Sequence, residues 1–156
     1  MYLGIDIGTS AVKVAVVDDT GSVVDQASSA LSVSRPHALW SEQNPADWWS
    51  AANNAVSDLR LPVRKAVRAI GLTGQMHGAT LLNKQHRALR PAILWNDGRS
   101  AAQCAELEAA VPDMTEITGN RAMPGFTAPK LMWVRQHEPK IFAETALVLL
   151  PKDYVR

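Results

Sequence analysis

Cysteine is nearly missing from this sequence, and phenylalanine and tyrosine are scarce: one Cys, two Phe and two Tyr in 156 residues. A single thiol, Cys104, can form no internal disulfide and supplies no thiolate metal cluster. It sets the expectation of a reducing, cytoplasmic location. A surplus of either charge is missing too. Sixteen basic residues stand against fifteen acidic ones, which argues against the basic face of a nucleic-acid or membrane-surface protein. No apolar run approaches the roughly 20 residues of a membrane span. No basic n-region leads into an apolar stretch at the start, so no signal peptide is expected. Repeats, low-complexity tracts and linkers are absent, and the length fits one domain with a sizeable core.

What is present is an ordinary globular composition, 47% hydrophobic and 20% charged. Tryptophan alone is over-supplied among the aromatics, at Trp40, Trp48, Trp49, Trp95 and Trp133. Indoles line sugar and aromatic-ligand sites, but their commoner place is the core, and each is read first as a core residue.

The chain opens with two apolar runs of strand length, Tyr2 to Ile7 and Ala11 to Val17, around the turn Gly8-Thr9-Ser10. That pattern predicts a β-hairpin with a carboxylate, Asp6, near the end of its first strand. Glycine allows close backbone approach and the hydroxyls add donors, so the turn can cradle an anion such as a nucleotide phosphate. Asp6 would then stand where hydrated magnesium accompanies the phosphates. An ordinary amphipathic hairpin accounts for the same residues, and the turn alone does not choose between the two.

Asp18-Asp19-Thr20-Gly21 predicts a second turn and Ser22 to Ala30 a third strand, completing a meander. Asn44-Pro45-Ala46-Asp47 is a helix start: Asn as N-cap, Pro at the first position, an acid in the first turn. Trp48, Ala52, Val56 and Leu59 follow at helical spacing and form an apolar face. Val67 to Thr73 reads as a short buried strand. The resulting strand–helix–strand crossover requires parallel pairing, hence a mixed α/β sheet flanked by helices.

Two later segments repeat one grammar, a short apolar run ending in polar residues. Gly74-Gln75-Met76-His77-Gly78 follows the crossover strand, and Trp95-Asn96-Asp97-Gly98-Arg99 follows Pro91 to Leu94. Ligands collect beyond the carboxyl ends of strands in α/β sheets, so both are candidate sites. His77 can hydrogen-bond a hydroxyl while Met76 packs on a carbon face. A glycine-hinged connection explains the first as well, and helix capping by Asp97 or Ser100 explains the second. Cys104, with Leu107 and Val111, falls on the inner stripe of the next helix. Thr127 is placed to cap a helix through Leu131, Trp133 and Val134 that stops near Glu138-Pro139. Leu147 to Leu150 reads as a last strand.

Asp6-Ile7-Gly8-Thr9-Ser10 with Val12-Lys13-Val14 resembles the first phosphate motif of the actin, hexokinase and sugar-kinase superfamily. Gly125-Phe126-Thr127-Ala128-Pro129-Lys130-Leu131-Met132-Trp133-Val134-Arg135-Gln136-His137 resembles the first signature of the FGGY carbohydrate kinases. Trp40-Ser41-Glu42-Gln43, Gln75-Met76-His77-Gly78 and Pro91 to Arg99 are similar to the branch of that family acting on xylulose. The resemblance runs from residue 1 to 156. It implies a ribonuclease-H-like, actin/hexokinase-type ATPase fold of two lobes, with ATP and Mg2+ as cofactors and D-xylulose as substrate. Gly8, Thr9, Ser10 and Lys13 then correspond to the phosphate site and Asp6 to the carboxylate near the metal. Met76, His77, Trp95, Asn96 and Asp97 correspond to the sugar site. The same resemblance implies that residues 1–156 are an N-terminal FGGY-type domain. It places the catalytic aspartate, the adenosine site and the second lobe beyond this chain, which would leave the chain by itself inactive. A homodimer of the intact protein is compatible with it. Rival readings are a kinase for ribulose, gluconate or glycerol, a non-catalytic sugar- or nucleotide-binding module, and an actin-like ATPase sharing only the hairpin.

Overall fold

The computed structural model describes residues 1–156. In chain order the elements are β1 (Tyr2–Ile7), β2 (Ala11–Val17), β3 (Val23–Ala30), β4 (Glu42–Gln43), α1 (Pro45–Asp58), α2 (Leu61–Lys65), β5 (Ala69–Gly74), β6 (Thr80–Leu82), β7 (Ala92–Ile93), α3 (Ala101–Ala110), α4 (Met114–Thr118), α5 (Thr127–His137), α6 (Pro139–Glu144), β8 (Leu147–Leu149) and α7 (Pro151–Val155). They divide into two compact units. The first comprises residues 1–33, 44–76 and 151–156, the second residues 34–43 and 77–150. The boundary falls inside the Gln75-Met76-His77-Gly78 motif, between Met76 and His77.

The first unit is built on a four-stranded mixed sheet of order β3-β2-β1-β5. The β1–β2 and β2–β3 pairs are antiparallel, as the meander predicts, and β1–β5 is parallel, as the crossover requires. Strict alternation puts Leu3, Ile5 and Ile7 of β1 and Val12, Val14 and Val16 of β2 on one buried face. Helix α1 buries Trp48, Ala51, Ala52 and Ala55, and three alanines on its inner stripe let it lie close to the strands. Its start is the predicted one, with Asn44 accepting the Ala46 amide at 3.2 Å. The Trp48 indole has no exposure and meets the Tyr154 ring edge-on at 6.1 Å. One expectation is corrected. The crossover strand is not buried: β5 has only β1 beside it, and Ala69, Ile70, Gly71 and Thr73 are exposed.

The second unit has no large sheet. Two antiparallel pairs, β4–β7 and β6–β8, carry Leu81 and Ile93 into a core shared with Ala79, which bridges to Ile93 just before β6, and with Trp133 and Val134 of α5. Its second layer is ionic. Glu42 pairs with both Arg90 and Arg99, Arg90 reaches Glu138 at 3.2 Å, and Arg99 also holds Asp97 at 2.7 Å. The Arg99 guanidinium lies 3.6 Å from the Trp40 ring centroid, a cation–π contact that suits a delocalised, weakly hydrated charge. The indoles therefore separate by place. Trp48 and Trp133 are core residues, Trp40 is half-buried, and Trp49 and Trp95 are exposed, against the expectation of core packing.

No helix of the chain is long and apolar enough to cross a membrane.

Candidate active site

The hairpin of the first unit is tight because its glycine is required. A Cβ on Gly8 would come within 2.7 Å of the Ala11 carbonyl oxygen, and the Gly8 amide closes the loop by donating to that oxygen at 3.1 Å. The Gly8 N–H is therefore committed to the hairpin. In a phosphate-binding turn the donors must come from Thr9 and the exposed Ser10. Asp6 stands exposed on the sheet face away from α1, and Lys13 and Thr73 are its register partners on either side. These three belong to an open concavity of about 880 Å³ floored by small residues, among them Gly4, Ala15 and Gly71. No group of three or more His, Cys, Asp or Glu is assembled anywhere. A lone carboxylate does not make a protein cage for a cation. It does fit magnesium, which keeps several waters and takes most other ligands from phosphates.

Gln75 ties this turn to the end of β5, a role its sequence position did not disclose. Its backbone amide donates to the Ile7 carbonyl at 2.8 Å, its side-chain Oε1 accepts from the Thr9 hydroxyl at 3.2 Å, and its Nε2 donates to the Gly8 carbonyl at 3.4 Å. Gly74 supports the same joint, since a Cβ there would lie 2.9 Å from Ile7 Cβ. Met76, the next residue, is 54% exposed, available to pack on a ligand.

In the second unit His77 adopts φ +58°, a left-handed backbone that L-residues seldom take. Its ring lies on Phe126 with centroids 4.4 Å apart. Its carbonyl accepts hydrogen bonds from Lys130 Nζ at 2.7 Å and Thr127 Oγ1 at 3.3 Å. Thr127 thus does not cap α5 as expected. Phe126 occupies the N-cap without a side-chain bond, and the threonine hydroxyl serves His77 instead. Burial, and then the Lys130 charge, hold the His77 imidazole below its ordinary pKa, which favours a neutral ring able to donate and accept. Lys130 has no exposure. Desolvation pushes its ammonium down to about 7, opposed by the charge of Asp97 and aided by that of Arg99.

Trp95 and Asn96 are exposed at the end of β7, on the loop where a sugar wall was expected. Asp97 is placed otherwise than its expected duty requires. It is 2% exposed, and its carboxylate accepts from the Ser41 amide at 2.6 Å, the Arg99 amide at 2.9 Å and the Arg99 guanidinium at 2.9 and 2.7 Å. Such a group fixes its loop and has little left for a sugar hydroxyl. Ser100 stands at the N-cap of α3 but donates to the Pro124 carbonyl at 3.0 Å. Cys104 is half-buried with its thiol pushed up in pKa by burial, which suits an inert side chain. The Trp95 loop and His77 share a neighbour: Gly125 packs directly on the Trp95 carbonyl, and Phe126 carries the imidazole.

With this geometry in hand, the likeness to known proteins is specific. The model of the FGGY family of carbohydrate kinases, N-terminal domain, matches residues 1–156. A xylulose kinase of Escherichia coli (strain K12) is 58% identical over 100% of the chain and 32% of that protein. One from Klebsiella pneumoniae is 54% identical over the same shares. Among solved structures, a xyloylose kinase from Brucella ovis superposes with a TM-score of 0.96 at 54% identity, covering 99% of this chain and 33% of that one. The chain spans about a third of the length of these relatives. Its mixed sheet and flanking helices are the actin/hexokinase-type fold of the FGGY kinases.

Proposed function

The chain belongs to the FGGY family of carbohydrate kinases, and from that membership we propose that the intact protein transfers the γ-phosphoryl group of ATP to the terminal hydroxyl of D-xylulose, giving D-xylulose 5-phosphate. One observation carries the choice of sugar: 58% identity along the whole chain to a protein named xylulose kinase.

Phosphoryl transfer asks little covalent chemistry of a protein and much positioning and charge compensation. When bound, ATP with Mg2+ supplies the phosphoryl group and neutralises much of its charge. The Thr9 and Ser10 amides and the exposed Ser10 hydroxyl offer donors to phosphate oxygens, the Thr9 hydroxyl being given to Gln75, and Lys13 adds a cation on the neighbouring strand. Asp6 is the carboxylate that would hold the hydrated Mg2+. Met76 packs on the carbon face of the ketose, His77 hydrogen-bonds a hydroxyl with its neutral imidazole, and Trp95 with Asn96 walls the sugar. No carboxylate of residues 1–156 is assigned the role of base toward the attacking hydroxyl, so the isolated chain is expected to be inactive.

A panel of D-xylulose, ribulose, gluconate and glycerol, each with ATP and Mg2+ and followed by coupled ADP release from the full-length protein, tests the reading. D-xylulose should give the highest kcat/KM, and preference for another member would replace the substrate. Asp6→Asn should lower kcat by about 10²- to 10³-fold, with the sugar's dissociation constant moving less than threefold. Undiminished turnover would remove Asp6 from the metal site. Xylulose-dependent ADP release by residues 1–156 alone would overturn the expected inactivity.

A further inference from the structure

The signature segment at the start of α5 holds two residues that the phosphoryl-transfer reading leaves without work, Thr127 and Lys130. They lie three apart and so share one face of the helix. Both donate to a single acceptor, the His77 carbonyl, at 3.3 and 2.7 Å. That carbonyl belongs to a histidine in the left-handed region, a conformation costing a non-glycine residue about 1–3 kcal/mol. Such backbone persists only where its surroundings over-determine it. Here the surroundings are two hydrogen bonds on the oxygen and the Phe126 ring under the imidazole.

Lys130 itself needs explanation. A lysine with no exposure is rare, because desolvating its amine is costly unless a partner receives it. Its receiver is not a carboxylate. Asp97, whose charge favours the ammonium, gives both oxygens to Arg99 and the Ser41 amide. The amine is directed at a backbone oxygen, and so bears on a main-chain conformation and not on a charge.

From this geometry we infer that Lys130, assisted by Thr127, is a positioning residue. It locks the backbone of His77 so that the imidazole is held on Phe126 in the one orientation that meets the sugar. The inference rests on the assignment of His77 to the sugar site. Lys130 touches neither substrate, so its loss shows in sugar binding and not in ATP binding.

The test uses the full-length protein. Lys130→Met keeps the length of the side chain and removes the donor. It should raise KM for D-xylulose at least tenfold while KM for ATP stays within threefold, and Thr127→Val should give a smaller change of the same kind. The pair His77→Ala and Lys130→Met completes a cycle. If Lys130 acts through His77, adding Lys130→Met to His77→Ala should worsen the sugar KM less than threefold. Equal rises for both substrates, or an effect undiminished in the double variant, would overturn the inference and mark Lys130 as merely structural. A crystal structure of the Lys130→Met protein needs no substrate. His77 should leave the left-handed region or lift from Phe126, and an unaltered His77 would overturn the inference whichever sugar the wild type uses. Failure of the wild type on the whole sugar panel would sink the kinase reading alone. Should Lys130→Met not fold, the Thr127→Val kinetics and structure decide by the same criteria.

Discussion

A methyl group on Gly125 would run into the carbonyl oxygen of Trp95. The approach of these two backbones ties the turn before α5 to the end of β7. Phe126 follows at once and carries His77, so a single glycine determines whether two candidate sugar-site loops can sit against one support.

Gly125→Ala should therefore cost about 1–3 kcal/mol of stability, the usual range for overpacking. Sugar KM should rise with it while ATP KM holds. Urea unfolding and steady-state kinetics on the full-length protein check both, and an unshifted midpoint would show that the loops part freely.

Asp97→Asn should be a stability variant before it is a binding variant. It leaves the Arg99 guanidinium, whose side chain is 1% exposed, short of a charge partner. Breaking a buried pair in this way costs on the order of 3 kcal/mol, moderated here because Glu42 still holds Arg99. Equilibrium unfolding reads the loss. A wild-type midpoint together with collapsed sugar affinity would return Asp97 to the sugar-reading role.

Stability should climb with pH through a window set by Lys130. Its ammonium falls from an ordinary 10.5 to about 7 on folding. Between pH 7 and 10 the unfolded chain then carries a proton that the folded chain has released, and folding is favoured as that proton becomes scarcer. The wild type should gain about 1 kcal/mol per pH unit over Lys130→Met across this range. Parallel curves for the two proteins would show that the buried amine keeps its proton.

Much of the first unit was legible from residue pattern. Strict alternation in Leu3-Gly4-Ile5-Asp6-Ile7, the Asn44-Pro45 helix start and the need of a crossover for a parallel neighbour lead to the observed meander, helix and parallel pair, while the choice of β1 as the partner of β5 came only from the structure. What pattern could not disclose was position within the sheet, so the β5 strand looked buried and lies at the margin. The second unit was harder to read because its strands are two or three residues long and its interior is partly ionic. A short polar-ended run such as Trp95-Asn96-Asp97 has the same appearance whether its carboxylate faces a ligand or an arginine. Only the placement of Arg99 two residues on, and of Ser41 from a distant segment, separates the two. Thr127 was misread as a cap for a related reason: its hydroxyl partner, His77, is fifty residues away. Gly8 stood out as a turn glycine and His77 as a hydrogen-bonding side chain in a glycine-flanked loop after a strand; the left-handed backbone of His77 carried no mark in the sequence.

The division of the tryptophans has a practical use. Trp48 lies sealed in the first unit against Tyr154, and Trp133 lies in the second, stacked on His137 at 4.6 Å. Each unit so possesses its own intrinsic fluorophore. Variants retaining one indole at a time would let emission spectra report the melting of either half by itself, and reveal whether the two lose their structure in a single cooperative event or in succession.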